Sequence, residues 1–145
     1  MLSERKLHFV RSYLVDAGRR IELAEICLER RYFHLVVRLC QEAIELCLKA
    51  VLRFLGIEYP RAHDVGYVLR QYRNLFPEWF RVHVDELARI SRDLAHNRGP
   101  AMYGDEEAEI PPEELYDEVD AREAIKRAKF VYELCSKLVE SECGR

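Results

Sequence analysis

The sequence predicts an all-α fold: an antiparallel up-and-down bundle of four main helices plus one short helix, in a single domain over residues 1–145. Apolar residues recur at three- and four-residue intervals along most of the chain, the repeat of a helix with one buried face. No segment alternates apolar and polar residues as a half-buried strand would. The composition, 49% hydrophobic and 34% charged, supplies enough apolar side chain for a core that needs no disulfide or metal staple.

Helix 1 is expected over about residues 3–30, from Leu7, Val10, Leu14, Ala17, Ile21, Ala24 and Leu28. Gly18 interrupts this stripe without ending it, because one interior glycine costs only about 1 kcal/mol. Helix 2, about 32–55, repeats Val36, Cys40, Ala43, Cys47, Ala50 and Phe54 in a heptad rhythm and stops at Gly56. Small residues in such a seam let a second helix approach closely. On its polar side Glu45 and Lys49 form an i,i+4 pair in the favourable order.

Asp64 is placed to cap a short third helix, about 65–73, by accepting from exposed backbone amides. His63 just before it is read as solvent-accessible. Pro77 suits the first turn of a fourth helix that buries Phe80, Leu87, Ile90 and Leu94. His83, beside that stripe, reads as a partly buried histidine rather than a ligand. Gly99 and Pro100 are expected to terminate this helix. After a loop with Pro111 and Pro112, the last helix is expected over about 117–141. Asp117 is its N-cap, and the buried face runs from Ala121 through Ala128 and Cys135 to Leu138.

Bulk chemistry excludes several classes. The five cysteines, at 27, 40, 47, 135 and 143, contain no Cys-x-x-Cys pair, so neither a zinc site nor another cofactor is called for. They read as small hydrophobes in a reducing compartment, with Cys143 a free thiol near the terminus. No apolar run would span a bilayer, and the basic start lacks a signal peptide's apolar core, so a cytoplasmic location is expected. The net charge of -3 hides an asymmetry: +4 over residues 1–98 and -7 over residues 99–145. A sequence-independent polyanion binder would be strongly basic, so any nucleic-acid contact must be local. The acidic stretch from Asp105 to Glu123 fits an ordinary solvated loop.

One cluster carries candidate chemistry. Arg92 lies four residues before His96 on one helix face, Arg89 is one turn earlier, and Arg98 and Tyr103 extend the set past the expected helix end. Guanidinium binds phosphate oxygens bidentately, and imidazole carries a proton near neutral pH. Together they suit RNA or a nucleotide. A structural reading stands beside this one. Asp85, Arg89 and Asp93 form an i,i+4 charge ladder, and Arg98 or a protonated His96 is favoured by the dipole at a helix C-terminus.

Three motifs in this order resemble the HEPN family (higher eukaryotes and prokaryotes nucleotide-binding). They are Gln41-x-Ala43-x-Glu45-x-x-x-Lys49-Ala50, the connector from Gly56 through Pro60 to His63-Asp64, and the run Arg98-Gly99-Pro100-Ala101-Met102-Tyr103-Gly104-Asp105 before an Asp120-Ala121 helix start. Each is weak alone, since Gln, Glu and Lys decorate any exposed helix face; their order and spacing carry the resemblance. It implies a helical domain that is a homodimer, either a metal-independent ribonuclease or a non-catalytic RNA- or nucleotide-binding module. It also implies a possible toxin–antitoxin pairing with a nucleotidyltransferase.

The family's catalytic motif is an Arg, four to six residues, then a His. Here Arg92 to His96 has three residues between, Arg89 to His96 six, and Arg98 to Tyr103 four with Tyr in place of His. A phenol titrating near pH 10 is a poor general base but can hydrogen-bond a phosphate or stack on a base. On the resemblance, His96, Arg92 and Arg98 are the catalytic candidates, with His96 moving the proton and Arg steadying charge on the phosphorus. Tyr103 and Arg89 would contact substrate. A helical interaction module without a phosphate ligand is the remaining class.

Overall fold

The computed structural model describes residues 2–143. In chain order its helices are α1 (Glu4–Glu29), α2 (Phe33–Phe54), α3 (Gly66–Gln71), α4 (Glu78–Arg81), α5 (Val84–His96), α6 (Arg98–Tyr103), α7 (Pro112–Leu115) and α8 (Glu118–Cys143). The long ones, α1, α2, α5 and α8, are the four main helices expected. Among the described residues there is no strand, only an isolated antiparallel bridge between Asp105 and Ile110. None of these helices is long and apolar enough to cross a membrane.

The centre of the bundle is α2, along which both α1 and α8 pack. Cys40, Ala43, Cys47 and Ala50 are fully buried in it, as the small-residue seam anticipated. Burial pushes the Cys40 thiol up to about 12, so at neutral pH it is an inert hydrophobe rather than a nucleophile. Gly18 has a packing reason: a Cβ there would lie 3.1 Å from the Tyr132 hydroxyl of α8.

The ends of the helices follow local chemistry. Ser3 accepts from the Lys6 amide at 3.2 Å and caps α1. Asp117 and Asp120 each accept the other's amide at 3.0 Å, a reciprocal capping box that starts α8 at Glu118. Asp64 accepts from the Gly66 amide at 3.0 Å, so it supports α3 from two residues before its first turn.

Two boundaries differ from expectation. The fourth helix is interrupted at Val82 and His83, giving α4 and α5, and Pro77 precedes the first turn rather than occupying it. No glycine or proline marks that break; ahead of it, Phe76 and Phe80 stack across the start of α4 with ring centroids 4.7 Å apart. Gly99 and Pro100 do not end helix structure either. The chain turns at Asn97, and both residues lie in the first turn of α6. Proline is tolerated there because the amide it lacks would have no partner in the new helix.

Candidate functional site

Gln41, Glu45 and Lys49 are spaced by four, so they form one stripe along α2. This stripe is not solvated decoration. Gln41 is only 2% exposed, in the middle of a helix that is otherwise buried by apolar side chains. Its amide nitrogen donates to Glu45 Oε1 at 2.9 Å, and Lys49 Nζ donates to Glu45 Oε2 at 2.8 Å.

Two further segments close over the stripe. The connector before α3 brings His63 Nδ1 to 2.9 Å from Glu45 Oε1. An ionised carboxylate only accepts, so Nδ1 carries the proton and the other ring nitrogen is left for a ligand. From α6, Arg98 Nη1 donates to Gln41 Oε1 at 2.8 Å and lies 3.7 Å from Glu45 Oε1. Arg38 Nη1 in turn donates to the Arg98 carbonyl at 2.7 Å, tying the start of α6 to α2. Burial alone would raise the Glu45 carboxyl. Hydrogen bonds from Lys49 and Gln41, the Lys49 charge and the His63 contact outweigh that and hold it below the usual range.

The backbone around this network is fixed by close packing. Ser91 Oγ of α5 donates to Asp64 Oδ1 at 2.9 Å and accepts from the Val65 amide at 3.3 Å. A Cβ on Gly66 would lie 2.7 Å from the Ala88 Cα, so only glycine lets α3 settle this close to α5. At the α5–α6 turn, Asn97 donates to the Asp93 carbonyl and accepts from Tyr116 Oη, both at 2.8 Å.

The cluster anticipated from sequence is divided by the fold. Arg98 joins the α2 network and keeps its side chain 28% exposed. Tyr103 is 60% exposed on α6 and His96 is exposed at the end of α5; neither has a hydrogen-bond partner among the described residues. Arg92 meets only Asp93, at 4.0 Å. Arg89 lines a separate groove of about 360 Å³ with Asp93, Lys126 and Arg127, on the α8 side of α5. The anticipated charge ladder is not formed, because tertiary partners win. Asp85 pairs with Arg70 at 3.1 Å and Arg73 at 2.9 Å, and Asp93 with Arg127 at 3.4 Å. The side chains that the cluster omitted are Gln41, Glu45, Lys49 and His63. The sequence signal for them was a glutamine and a glutamate four apart, each directly preceded by a buried apolar residue, Cys40 and Ile44.

The site is thus a Gln–Glu–Lys stripe on the central helix of a helical bundle, closed by a histidine and an arginine from two distant segments. The family model for the HEPN domain matches residues 10–138, and the chain belongs to that family. Two solved structures share the fold along nearly their full length. One is TT1696 from Thermus thermophilus, 21% identical, with a TM-score of 0.73 over 88% of this chain and 96% of that one. The other, ST0689, is described as an archaeal HEPN homologue. It is 26% identical, with a TM-score of 0.68 over 90% of this chain and 97% of that one. A comparison with the curated proteins finds no match.

Proposed function

We propose that this HEPN-domain chain binds RNA or a nucleotide through its phosphate at the α5–α6 turn, with Arg98 as the contact. The observation that carries this reading is the convergence of Gln41, Glu45, His63 and Arg98 into one hydrogen-bonded network from three separated segments. Gln41 and Glu45 hold the guanidinium in place, which lowers the ordering cost of phosphate binding. Lys49, bonded to the same Glu45, adds a further cation to the network, and His63 offers its free ring nitrogen as an acceptor. Tyr103, exposed on the same short helix, offers a ring and a hydroxyl to the ligand. The test is filter binding of total RNA to the full chain in excess EDTA, comparing Arg98→Ala, His63→Ala, His96→Ala and Tyr103→Phe. Retention that falls with Arg98→Ala supports the reading. Retention unchanged in all four variants favours an interaction module without a phosphate ligand.

A second reading, metal-independent RNA cleavage, is favoured by the Glu45–His63 pair, a histidine oriented by a carboxylate and half exposed. In it the ribose 2′-hydroxyl gives its proton to the free ring nitrogen of His63, and the oxygen attacks the adjacent phosphorus. The 5′-oxygen leaves with a proton from water, and Arg98 steadies the charge that builds on the phosphoryl oxygens. This puts His63 where the resemblance suggested His96, so the same EDTA samples run on a gel discriminate them: loss of cleavage in His63→Ala and Arg98→Ala but not in His96→Ala supports it.

Both readings take the chain as a homodimer, with a nucleotidyltransferase as the candidate antitoxin partner. Val15, Leu23 and Ile26, which are 45–51% exposed along α1, are apolar side chains that a second copy would cover. Light scattering that finds only a 17.2 kDa species at micromolar concentration would contradict the homodimer.

A further inference from the structure

The first turns of α1, the last turn of α2 and the loop after it enclose a cleft of about 560 Å³, within the size range of small-molecule sites. Its walls include Arg5, Lys6, Phe9, Arg53 and Ile57, with Glu58 as the acid among the lining residues. Arg53 is the unusual member. Its guanidinium has no carboxylate partner among the described residues; instead Nε donates to Tyr59 Oη at 2.7 Å. The same group lies over the rings of Phe9, Tyr13 and Tyr59, at 4.7, 5.6 and 5.7 Å from their centroids. Arg5 and Lys6 also have no ion-pair partner among the described residues. Phe9 packs on Tyr13 at 4.9 Å and under Arg53, yet it stays 45% exposed in the cleft wall.

Three cations against a single carboxylate, around a partly exposed aromatic ring, suit a planar base that stacks, joined to phosphate that the excess cations neutralise. We infer that this cleft is a nucleobase-and-phosphate subsite, in which a base stacks on Phe9 while Arg5, Lys6 and Arg53 take the phosphate. The inference extends the proposed phosphate site and rests on the reading that the chain binds RNA or a nucleotide. The two places are joined side chain to side chain. Lys49, bonded to Glu45, also lies over the Tyr59 ring at 5.5 Å from its centroid. Glu45 and Arg53 are two turns apart on α2, about 12 Å at 1.5 Å per residue. One single strand can therefore touch both.

The probes are a fluorescent five-nucleotide oligoadenylate and free AMP, each titrated into the full chain. Binding is followed by anisotropy, and the ring resonances of Phe9 by NMR. Both probes are expected to move the Phe9 signals. Phe9→Ala should weaken the oligonucleotide by about tenfold and Phe9→Tyr should not, as base–aromatic stacking requires. The double variant Arg5→Ser/Lys6→Ser should lower the slope of log affinity against log salt by about 1.4, for two lost phosphate contacts. Equal affinity for AMP and the oligonucleotide makes a free nucleotide the ligand of the subsite, and much tighter oligonucleotide binding makes it a strand.

Unchanged binding in Phe9→Ala and in the double variant, with Arg98→Ala still weakened, would overturn the subsite and leave the main site standing. Sensitivity to Phe9→Ala with Arg98→Ala unaffected would do the reverse. No binding of either probe overturns both.

Discussion

Replacing Glu45 with Gln keeps the shape of the side chain and removes the charge that Lys49, His63 and Arg98 surround. The new amide nitrogen meets the Lys49 ammonium, which has stood 2.8 Å from a carboxylate oxygen, so donor faces donor. Lys49 and Glu45 are only 15% and 16% exposed. Their separation therefore costs more than the ~0–1 kcal/mol of a surface pair and less than the ~3–5 kcal/mol of a fully buried one. We expect Glu45→Gln to cost about 2–3 kcal/mol, roughly 7–10 °C in Tm for a domain of this size.

The pH dependence has a definite sign. Because the folded carboxyl titrates below its ordinary value of 4.5, it stabilises the fold at neutral pH. That contribution fades as the pH falls through the unfolded value and is gone below the folded one. Thermal melts of wild type and Glu45→Gln from pH 7 to pH 3 should therefore converge as acid is added. A Tm difference under 2 °C at pH 7, or a gap that widens in acid, would refute the reasoning.

Other perturbations test the packing that holds the site. Gly66→Ala drives a Cβ into the Ala88 backbone and should cost about 1–3 kcal/mol, read in a denaturant melt. Gly104→Ala should cost at least as much. Gly104 has φ of 74°, and its Cβ would fall 2.1 Å from the Ile110 carbonyl oxygen, which closes the loop after α6. In the native protein a thiol reagent at pH 8 should leave Cys40, Cys47 and Cys135 unmodified, since all three are buried and their thiols are pushed up. Mass spectrometry after tryptic digestion reads this directly, and labelling at Cys40 in the folded state would contradict it.

The long helices were legible because their repeats are uninterrupted. Val10 through Ala24 in α1 and Ala121 through Leu138 in α8 are the buried residues the periodicity named. The break at Val82–His83 was not, since no residue there resists helix and the interruption arises only in the packed fold. Gly99 and Pro100 misled for a related reason: proline suits the first turn of a helix as well as the stretch after one, and here α6 starts at Arg98, just after the Asn97 side chain bonds the end of α5. The candidate site was half legible. Arg98 stood out by its neighbours, but Glu45 and Lys49 look the same in sequence whether an i,i+4 pair is solvated or covered. What covers them is the 56–64 connector and α6, neighbours that no local pattern reveals. His63 is drawn in by the Asp64–Ser91 contact, a tertiary fact. Arg89 failed in the opposite way, because its expected carboxylates found partners on α3, the turn after it and α8.

The most direct test of the phosphate site compares Arg98→Ala with Arg92→Ala in the affinity for a short single-stranded RNA at fixed salt. Both substitutions remove one positive charge, but only Arg98 is held by Gln41 and faces Glu45. The account predicts about a tenfold or greater loss for Arg98→Ala and a change within about twofold for Arg92→Ala. Equal losses would mean a diffuse electrostatic surface, and a larger loss for Arg92→Ala would move the site to the exposed face of α5.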